Sequence, residues 1–214
     1  MSYSLIEIEA LAKRATRGGG FPWGLAEDSA KAVRWLASFG LDGAKLLADL
    51  LQQDDDVGLV DVTPITLDGD WNGRAGGLSP IICGPALSDS AARLKDGAIT
   101  LHNVTHPLLL LPFAALAARR IGAPVVLEWD GVRASSDGNT VSIDGTEGAL
   151  YTCGGARVTC IVNTEFIGKY QPTIRGQLSD ETVEELMVFA LRAFAPITAQ
   201  SRELGAGAGL NDNE

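Results

Sequence analysis

One segment, PLLLLPFAALAARRIG at residues 107–122, is apolar on nearly every side as far as residue 118. Arg119 and Arg120 follow, shortly before the glycine at 122. A helix that is apolar all round has to be buried by other elements on several sides. The two arginines and Gly122 indicate the C-terminal end of this helix. Pro112 predicts either a kink or a helix that starts later than residue 107. The rest of the chain must therefore supply layers that enclose this segment.

Helical periodicity predicts two helices near the N-terminus. Apolar side chains recur every three or four positions over residues 4–17, where Ser4 and Glu7 form a capping-box pattern. The glycines at 18–20 end this helix. Pro22 suits the first turn of the second helix, which carries charged residues along one side.

Two further helices are predicted from their N-cap residues. Asp42 precedes a run of leucines spaced along one helical face, and Ser179 precedes a helix with an acidic first turn. The three aspartates at 54–56 follow the first of these helices. A run of like charges is typical of a solvent-exposed loop, so we expect all three side chains to face water.

Seven short segments are typical of strands, because they are rich in β-branched residues or bounded by turn-forming residues. They are residues 57–62, 78–83, 98–104, 123–129, 132–135, 140–144 and 157–163. Together with the helices they predict an α+β fold. In this fold a helical N-terminal subdomain packs on a mixed β-sheet with two apolar flanking helices.

Neither an internal repeat nor a long linker divides the 214 residues, 46% of which are hydrophobic, so we expect one compact domain overall. Within it we predict a helical N-terminal subdomain at 1–53 and an α+β core at 54–200. A Gly-rich polar tail follows at 201–214.

Charge and cysteine content restrict the partners. The formal net charge of −10 lacks the positive excess that nucleic-acid binding requires, so we expect no nucleic-acid partner. Three cysteines without a CxxC pattern indicate reduced thiols in a cytoplasmic protein. The longest apolar stretch, 107–118, is shorter than the roughly 18 residues of a spanning helix, and we expect no membrane partner.

The chain contains two histidines, His102 and His106, four residues apart. We expect the strand to end at Val104, so the two rings do not converge and no metal site is predicted. His102 then is a strand residue with a polar tip. His106 lies between a strand and a helix N-terminus, where anions and a neutral imidazole are favoured. This position makes His106 a candidate catalytic acid or base, with a simple helix-start role as the alternative.

Trp23, Glu27 and Arg34 overlap along one side of the second helix. One interpretation is a surface ion-pair ladder with Trp23 and Trp35 packed against the sheet. The other makes these three residues ligand-binding, with Arg34 as a carboxylate clamp and Trp23 as one wall. The sequence leaves both interpretations open.

The tail and one cysteine offer two further candidates. The glycines of GAGAG at 205–209 lack a preceding strand and a following helix, so a dinucleotide fingerprint is rejected. Ser201 and Arg202 are candidate anion ligands together with glycine N–H groups, and an unstructured tail is the alternative. Cys83, placed where a strand gives way to a turn, is either a nucleophile paired with a histidine or a buried structural residue.

Three blocks together resemble a family of uncharacterised bacterial proteins, a domain-of-unknown-function family. The blocks are SLIEIEALAKRATRGGGFPWGLAEDSAKAVRWL, HPLLLLPFAALAARRIG and SRELGAGAGLNDN. This resemblance covers essentially the whole chain. It implies no functional residue, because the family has no assigned activity.

A second, partial resemblance is to the malate/L-lactate dehydrogenase family with the non-Rossmann nicotinamide-binding fold. It is carried by the helical segments EIEALAKRA and LAEDSAKAVRWL and by VTHPLLLLPFAALAARRIGAPVVL, where a histidine follows a strand and precedes an alanine-rich helix. The resemblance implies that His106 exchanges a proton with the hydroxyl or carbonyl group of a substrate.

These observations lead to three hypotheses and identify no cofactor. The first is a protein that binds a small anionic metabolite near the strand-to-helix junction, between the N-terminal helices and the sheet. The second is an enzyme similar to an NAD(P)-dependent oxidoreductase of 2-hydroxy or keto acids. The third is a structural or interaction protein that forms a homodimer through its apolar helices.

Overall fold

The computed structural model describes residues 1–74, 77–163 and 165–194. The N-terminal elements are β1 (Ser2–Ser4), α1 (Leu5–Gly18), α2 (Trp23–Ser38) and α3 (Gly43–Gln53). Both predicted caps are present. The Ser4 hydroxyl accepts from the Glu7 N–H, the Glu7 carboxylate accepts from the Ser4 N–H, and Asp42 accepts from the Lys45 N–H at the start of α3. Local hydrogen bonds that the sequence encodes directly therefore set these helix ends.

The middle of the chain contains α4 (Pro80–Asp89), β2 (Ile99–Val104), a 3₁₀ helix (Pro107–Leu110) and α5 (Leu111–Ile121). The strand predicted at 57–62 is wrong, since turns occupy it. The strand predicted at 78–83 is also wrong, because Pro80 starts a helix there. A short apolar run does not distinguish a buried strand from a buried helix. Pro112 marks the later start of α5.

The remaining elements are β3 (Val125–Trp129), β4 (Val132–Ser136), β5 (Val141–Asp144), α6 (Glu147–Leu150), β6 (Ala156–Val162), β7 (Arg175–Gln177) and α7 (Asp180–Arg192). Five of the strands form a sheet in the order β2-β6-β3-β4-β5, with antiparallel neighbours throughout. Single parallel bridges, Trp71 to Leu101 and Leu78 to Val104, add a mixed element along β2. The antiparallel pair β1–β7 stands apart.

The apolar helix α5 packs against β3, β4 and α4, which confirms that it flanks the sheet and is enclosed from several sides. The C-terminal helix α7 packs against α1 and α3. Its buried face is formed by Thr182, Leu186, Phe189 and Ala190. The α+β class is confirmed.

Two predictions depend on which residues the structure describes, the anion ligands in the tail and the absence of a membrane-spanning helix. Ser201 and Arg202 lie outside the described residues. Within residues 1–74, 77–163 and 165–194, no helix combines the length and the apolar character needed to cross a membrane.

Candidate functional site

His106 lies between the end of β2 and the 3₁₀ helix, at the junction that the sequence predicts. Its backbone is in the left-handed region, with φ of 48°. The residue is only 1% exposed, and neither ring nitrogen has a hydrogen-bond partner. Burial lowers the pKa of this imidazole, so the ring is neutral at pH 7. A neutral, buried ring with a free donor and a free acceptor is suited to a ligand or a bound water.

Two charged residues of α3 act on His106. The Asp49 carboxylate raises the pKa of the imidazole and the Lys45 ammonium lowers it, both less strongly than burial does. Lys45 Nζ lies 2.5 Å from Asp49 Oδ1 and 3.1 Å from Glu185 Oε1. Because Glu185 belongs to α7, this ion pair ties two helices together beside His106.

The prediction that all three aspartates at 54–56 face water is wrong for Asp54. Asp55 and Asp56 are exposed, but Asp54 Oδ2 is buried and unpartnered. Burial raises the pKa of this carboxyl to about 6, and the nearby Ser79 hydroxyl acts in the opposite direction. The helix end at Gln53 turns Asp54 inward, which a run of like charges does not reveal.

Ser79 is placed near His106 by backbone hydrogen bonds. The Leu78 N–H donates to the Asn103 carbonyl at 3.0 Å, and the Thr105 N–H donates to the Leu78 carbonyl at 3.3 Å. Within the described residues, the buried side-chain N and O atoms without a partner belong to Asp54, Ser79, Ser88, His106 and Glu185. The charges of Lys45 and Asp49 act on His106, and Glu185 pairs with Lys45. The Ser79 hydroxyl acts on the Asp54 carboxyl, and the backbone bond between Leu78 and Thr105 connects this pair to the His106 segment. We call this group the His106 centre, formed by Lys45, Asp49, Asp54, Ser79, His106 and Glu185.

Replacing Asp54 by asparagine is expected to raise the free energy of unfolding at pH 7 by about 1–2 kcal/mol. A carboxyl with a native pKa of about 6 and an ordinary value of 3.8 binds its proton more tightly in the folded state. Its contribution therefore makes the wild-type protein less stable as pH rises from about 4 to about 6. The full shift corresponds to about 3 kcal/mol, which partial exposure reduces. Denaturant unfolding between pH 4 and pH 8 measures this difference.

The matched control is Asp56→Asn in the same exposed loop, which is expected to stay within about 0.5 kcal/mol of the wild type. His106 acts in the opposite sense. Because the pKa of His106 is lowered in the folded state, its contribution to the free energy of unfolding is complete above about pH 6.5 and is lost as pH falls further. The difference between the wild type and Asp54→Asn isolates the carboxyl, and parallel pH curves for the two proteins would contradict the prediction.

Trp23 and Glu27 lie away from His106, on the outer surface formed by α1 and α2. Trp23 is 59% exposed, with Lys13 Nζ 5.7 Å and Arg17 Cζ 5.3 Å from its ring centroid. Glu27 Oε1 pairs with Lys13 Nζ at 2.6 Å. The ion-pair interpretation thus needs a correction, since the partner of Glu27 comes from α1 and Trp23 faces solvent. The predicted ligand role of both residues stays a prediction.

Arg34 lines a cavity of about 600 Å³ between α1, α2, α5 and residues 172–174. Its Nη1 also pairs with Glu9 Oε2 at 2.7 Å. Trp35 lines the same cavity and stacks on Phe39 with ring centroids 4.6 Å apart. His106 does not line this cavity, which we call the Arg34 cavity. The structure therefore divides the single site expected from the sequence into three places, which are the His106 centre, the Arg34 cavity and the outer surface with Trp23 and Glu27.

The other candidates have local structural explanations. His102 Nε2 lies 2.8 Å from Asp70 Oδ2, which confirms a strand residue with a polar tip. Within the described parts of the chain, no cluster of three or more His, Cys, Asp or Glu side chains is arranged to hold a metal ion. Cys83 lies inside α4 and not at a strand end, and burial raises the pKa of its thiol to about 12. A protonated, buried thiol is a poor nucleophile at neutral pH.

The fold is similar to that of several solved dehydrogenase structures. A dehydrogenase from Sinorhizobium meliloti aligns with a TM-score of 0.58 and 12% identity over 89% of this chain and 99% of the other. The sulfolactate dehydrogenase from Methanocaldococcus jannaschii aligns with a TM-score of 0.56 and 8% identity, over 90% of this chain and 97% of the other. The malate dehydrogenase from Pyrococcus horikoshii OT3 aligns with a TM-score of 0.51 and 13% identity over 68% of this chain. The match covers only 51% of that enzyme, so this chain spans about half of its length. At these identities the likeness is one of fold.

Residues 3–77 match the sequence profile of a family described as "Protein of unknown function (DUF3726)". No curated protein matches the chain. The resemblance to an uncharacterised family is thus confirmed over residues 3–77, and not over the whole chain. The partial similarity to dehydrogenases is confirmed as a weak likeness of fold. Neither of them transfers the role of a residue.

Proposed function

We propose that this protein binds a small molecule at the His106 centre and that His106 exchanges a proton with a hydroxyl or carbonyl group of that molecule. The observation that carries the proposal is a buried, neutral imidazole with two unpartnered nitrogens and a left-handed backbone. Both features cost free energy, and such costs are concentrated at functional sites. A hydroxyl or carbonyl oxygen is the complementary group for this ring.

The charges of the His106 centre determine which group of the ligand can lie beside His106. Lys45 is its cation, and Asp49 and Glu185 already pair with this ammonium. An additional anionic group beside these two carboxylates would be repelled. A small anionic metabolite therefore fits the centre through its hydroxyl or carbonyl oxygen, with its charged group directed elsewhere. The 2-hydroxy and 2-oxo acids have this arrangement.

The test is titration calorimetry with malate, lactate, oxaloacetate and pyruvate against the wild type and His106→Leu. We expect at least one acid to bind the wild type and to bind the variant at least about tenfold more weakly, since the bond to the imidazole is lost. The free energy of unfolding of His106→Leu should stay equal or rise, because the variant removes an unpartnered buried polar group. The matched control is His102→Leu, whose ring is half-buried and pairs with Asp70.

Equal affinity of His106→Leu and wild type for every acid that binds would contradict the proposal, as would the absence of binding by all four acids. A large loss of stability in His106→Leu would indicate a structural residue. His102→Leu should bind the same acids as the wild type. A loss of binding in both variants would place the ligand outside the His106 centre.

A second candidate function is NAD(P)-dependent oxidation and reduction of such acids, favoured by the fold likeness to dehydrogenases. A nicotinamide dinucleotide needs one cleft that places its ring beside the acid–base group and its phosphates beside cations. In the described residues, Lys31, Arg34 and Arg119 line the Arg34 cavity, and His106 does not. These residues do not fit the cofactor in one chain. Titration of NADH fluorescence with the protein is the test, and a quench or shift abolished in His106→Leu would favour this candidate.

A further inference from the structure

The Arg34 cavity has the size and the walls of a small-molecule site. Its volume of about 600 Å³ lies within the usual range of ligand pockets, about 300–1,000 Å³. Its apolar walls are formed by Leu5, Ile6, Trp35, Pro112, Phe113 and Leu116. Leu116 is the one exposed apolar residue of α5, and it lines the cavity.

The charges around this cavity have the opposite sign to the protein as a whole. Among the described residues, Lys31, Arg34 and Arg119 line it together with one carboxylate, that of Asp28. The chain as a whole has a formal net charge of −10. Arg34 is paired with Glu9, and Lys31 lies 3.8 Å from Asp28.

Arg119 is the available cation. Its Nη2 donates one long hydrogen bond, 3.4 Å, to Asn139 Oδ1 in a neighbouring cleft that Asp137 also lines, and Arg119 has no ion pair within the described residues. A guanidinium group without an anionic partner presents a planar set of donors that matches a carboxylate.

We propose that the Arg34 cavity binds an amphipathic carboxylate, a molecule with one carboxylate group on an aliphatic or aromatic body. The body packs against Trp35, Phe113 and Leu116, and the carboxylate pairs with Arg119, with Arg34 as a second donor at the rim. Apolar walls alone accept any apolar body, so the excess positive charge selects the anion. This site is separate from the His106 centre and does not rest on the function proposed there.

The experiment compares three probes of equal chain length, octanoate, 1-octanol and octylammonium, by titration calorimetry at pH 7. We expect octanoate to bind best and octylammonium to bind at least about tenfold more weakly, because the cations repel it. Arg119→Gln is expected to weaken octanoate binding by about tenfold or more, the effect of losing a charged hydrogen bond. The matched control is Arg14→Gln, an exposed arginine of α1 that does not line the cavity.

A second pair of variants tests the apolar wall. Leu116→Glu places a carboxylate in the cavity and is expected to abolish octanoate binding. Leu191→Glu, on α7 at 61% exposure and outside the cavity, should bind like the wild type. His106→Leu should also bind octanoate normally, which distinguishes this site from the His106 centre.

Equal binding of octanoate and octylammonium, or normal octanoate binding by Arg119→Gln, would overturn the proposal. Sedimentation equilibrium of the wild type and Leu116→Glu tests whether a second copy of the chain occupies the cavity instead. If octanoate does not bind and Leu116→Glu converts a dimer into a monomer, the cavity is a protein interface and the proposal fails.

Discussion

Truncation of Trp71 to alanine is expected to lower the free energy of unfolding by about 4 kcal/mol, the range observed when a large aromatic side chain is removed from a core. Trp71 is fully buried, and its Nε1–H donates to the Leu67 carbonyl at 3.0 Å. Its backbone N–H donates to the Thr100 carbonyl, and its own carbonyl accepts from the His102 N–H. Trp71 thereby attaches the long segment between α3 and α4 to β2. Denaturant unfolding at fixed pH measures the loss.

The same substitution at Trp23 is the matched control. Trp23 is 59% exposed, so Trp23→Ala should cost less than about 1 kcal/mol, mainly the contacts with Lys13 and Arg17. Equal losses for the two variants would contradict the structure. Because the segment that Trp71 anchors includes Ser79 and begins at Asp54, Trp71→Ala should also weaken any ligand binding that depends on His106.

Replacing Gly18 by alanine is expected to lower the free energy of unfolding by about 3 kcal/mol, the upper part of the range for inserting a methyl group into a packed contact. Gly18 is the last residue of α1, and a Cβ at this position would overlap the backbone carbonyl of Phe189 in α7. A backbone oxygen cannot rotate away as a flexible side chain does, so the two helices must separate. Thermal and denaturant unfolding of the variant measure the cost.

Gly24→Ala provides the control for a glycine within a helix. An added Cβ at Gly24 meets nothing within 4 Å, and alanine favours the helical conformation of α2. This variant should be as stable as the wild type or up to about 1 kcal/mol more stable. Wild-type stability in Gly18→Ala would contradict the close crossing of α1 and α7. Separation of these helices should also displace Glu185, the α7 partner of Lys45.

Local signals predicted the helices well. The capping residues Ser4, Asp42 and Ser179 each accept a hydrogen bond from a backbone N–H three residues later, as expected. The predictions failed where a short apolar run at 78–83 fits a strand and a helix equally well.

The candidate sites were predicted only in part. The junction position of His106 and the helical side of Arg34 both follow from short sequence patterns. The spacing of Lys45 and Asp49 permits an ion pair on α3, but nothing in the sequence connects that pair to a histidine 57 or more residues away. The inward direction of Asp54 was missed because charge runs are usually solvated.

The sequence by itself determined the capped starts of α1, α3 and α7, the burial of α5 and the position of His106 at a strand-to-helix junction. These features depend on caps, periodicity and turns within a few residues of one another. Only the tertiary structure decided that Glu185 meets Lys45 across 140 positions, that the Ser79 hydroxyl acts on the Asp54 carboxyl, and that Arg34 shares a cavity with Arg119. The physical reason is that burial and charge neutralisation depend on which distant elements pack together, and that packing is a property of the whole chain.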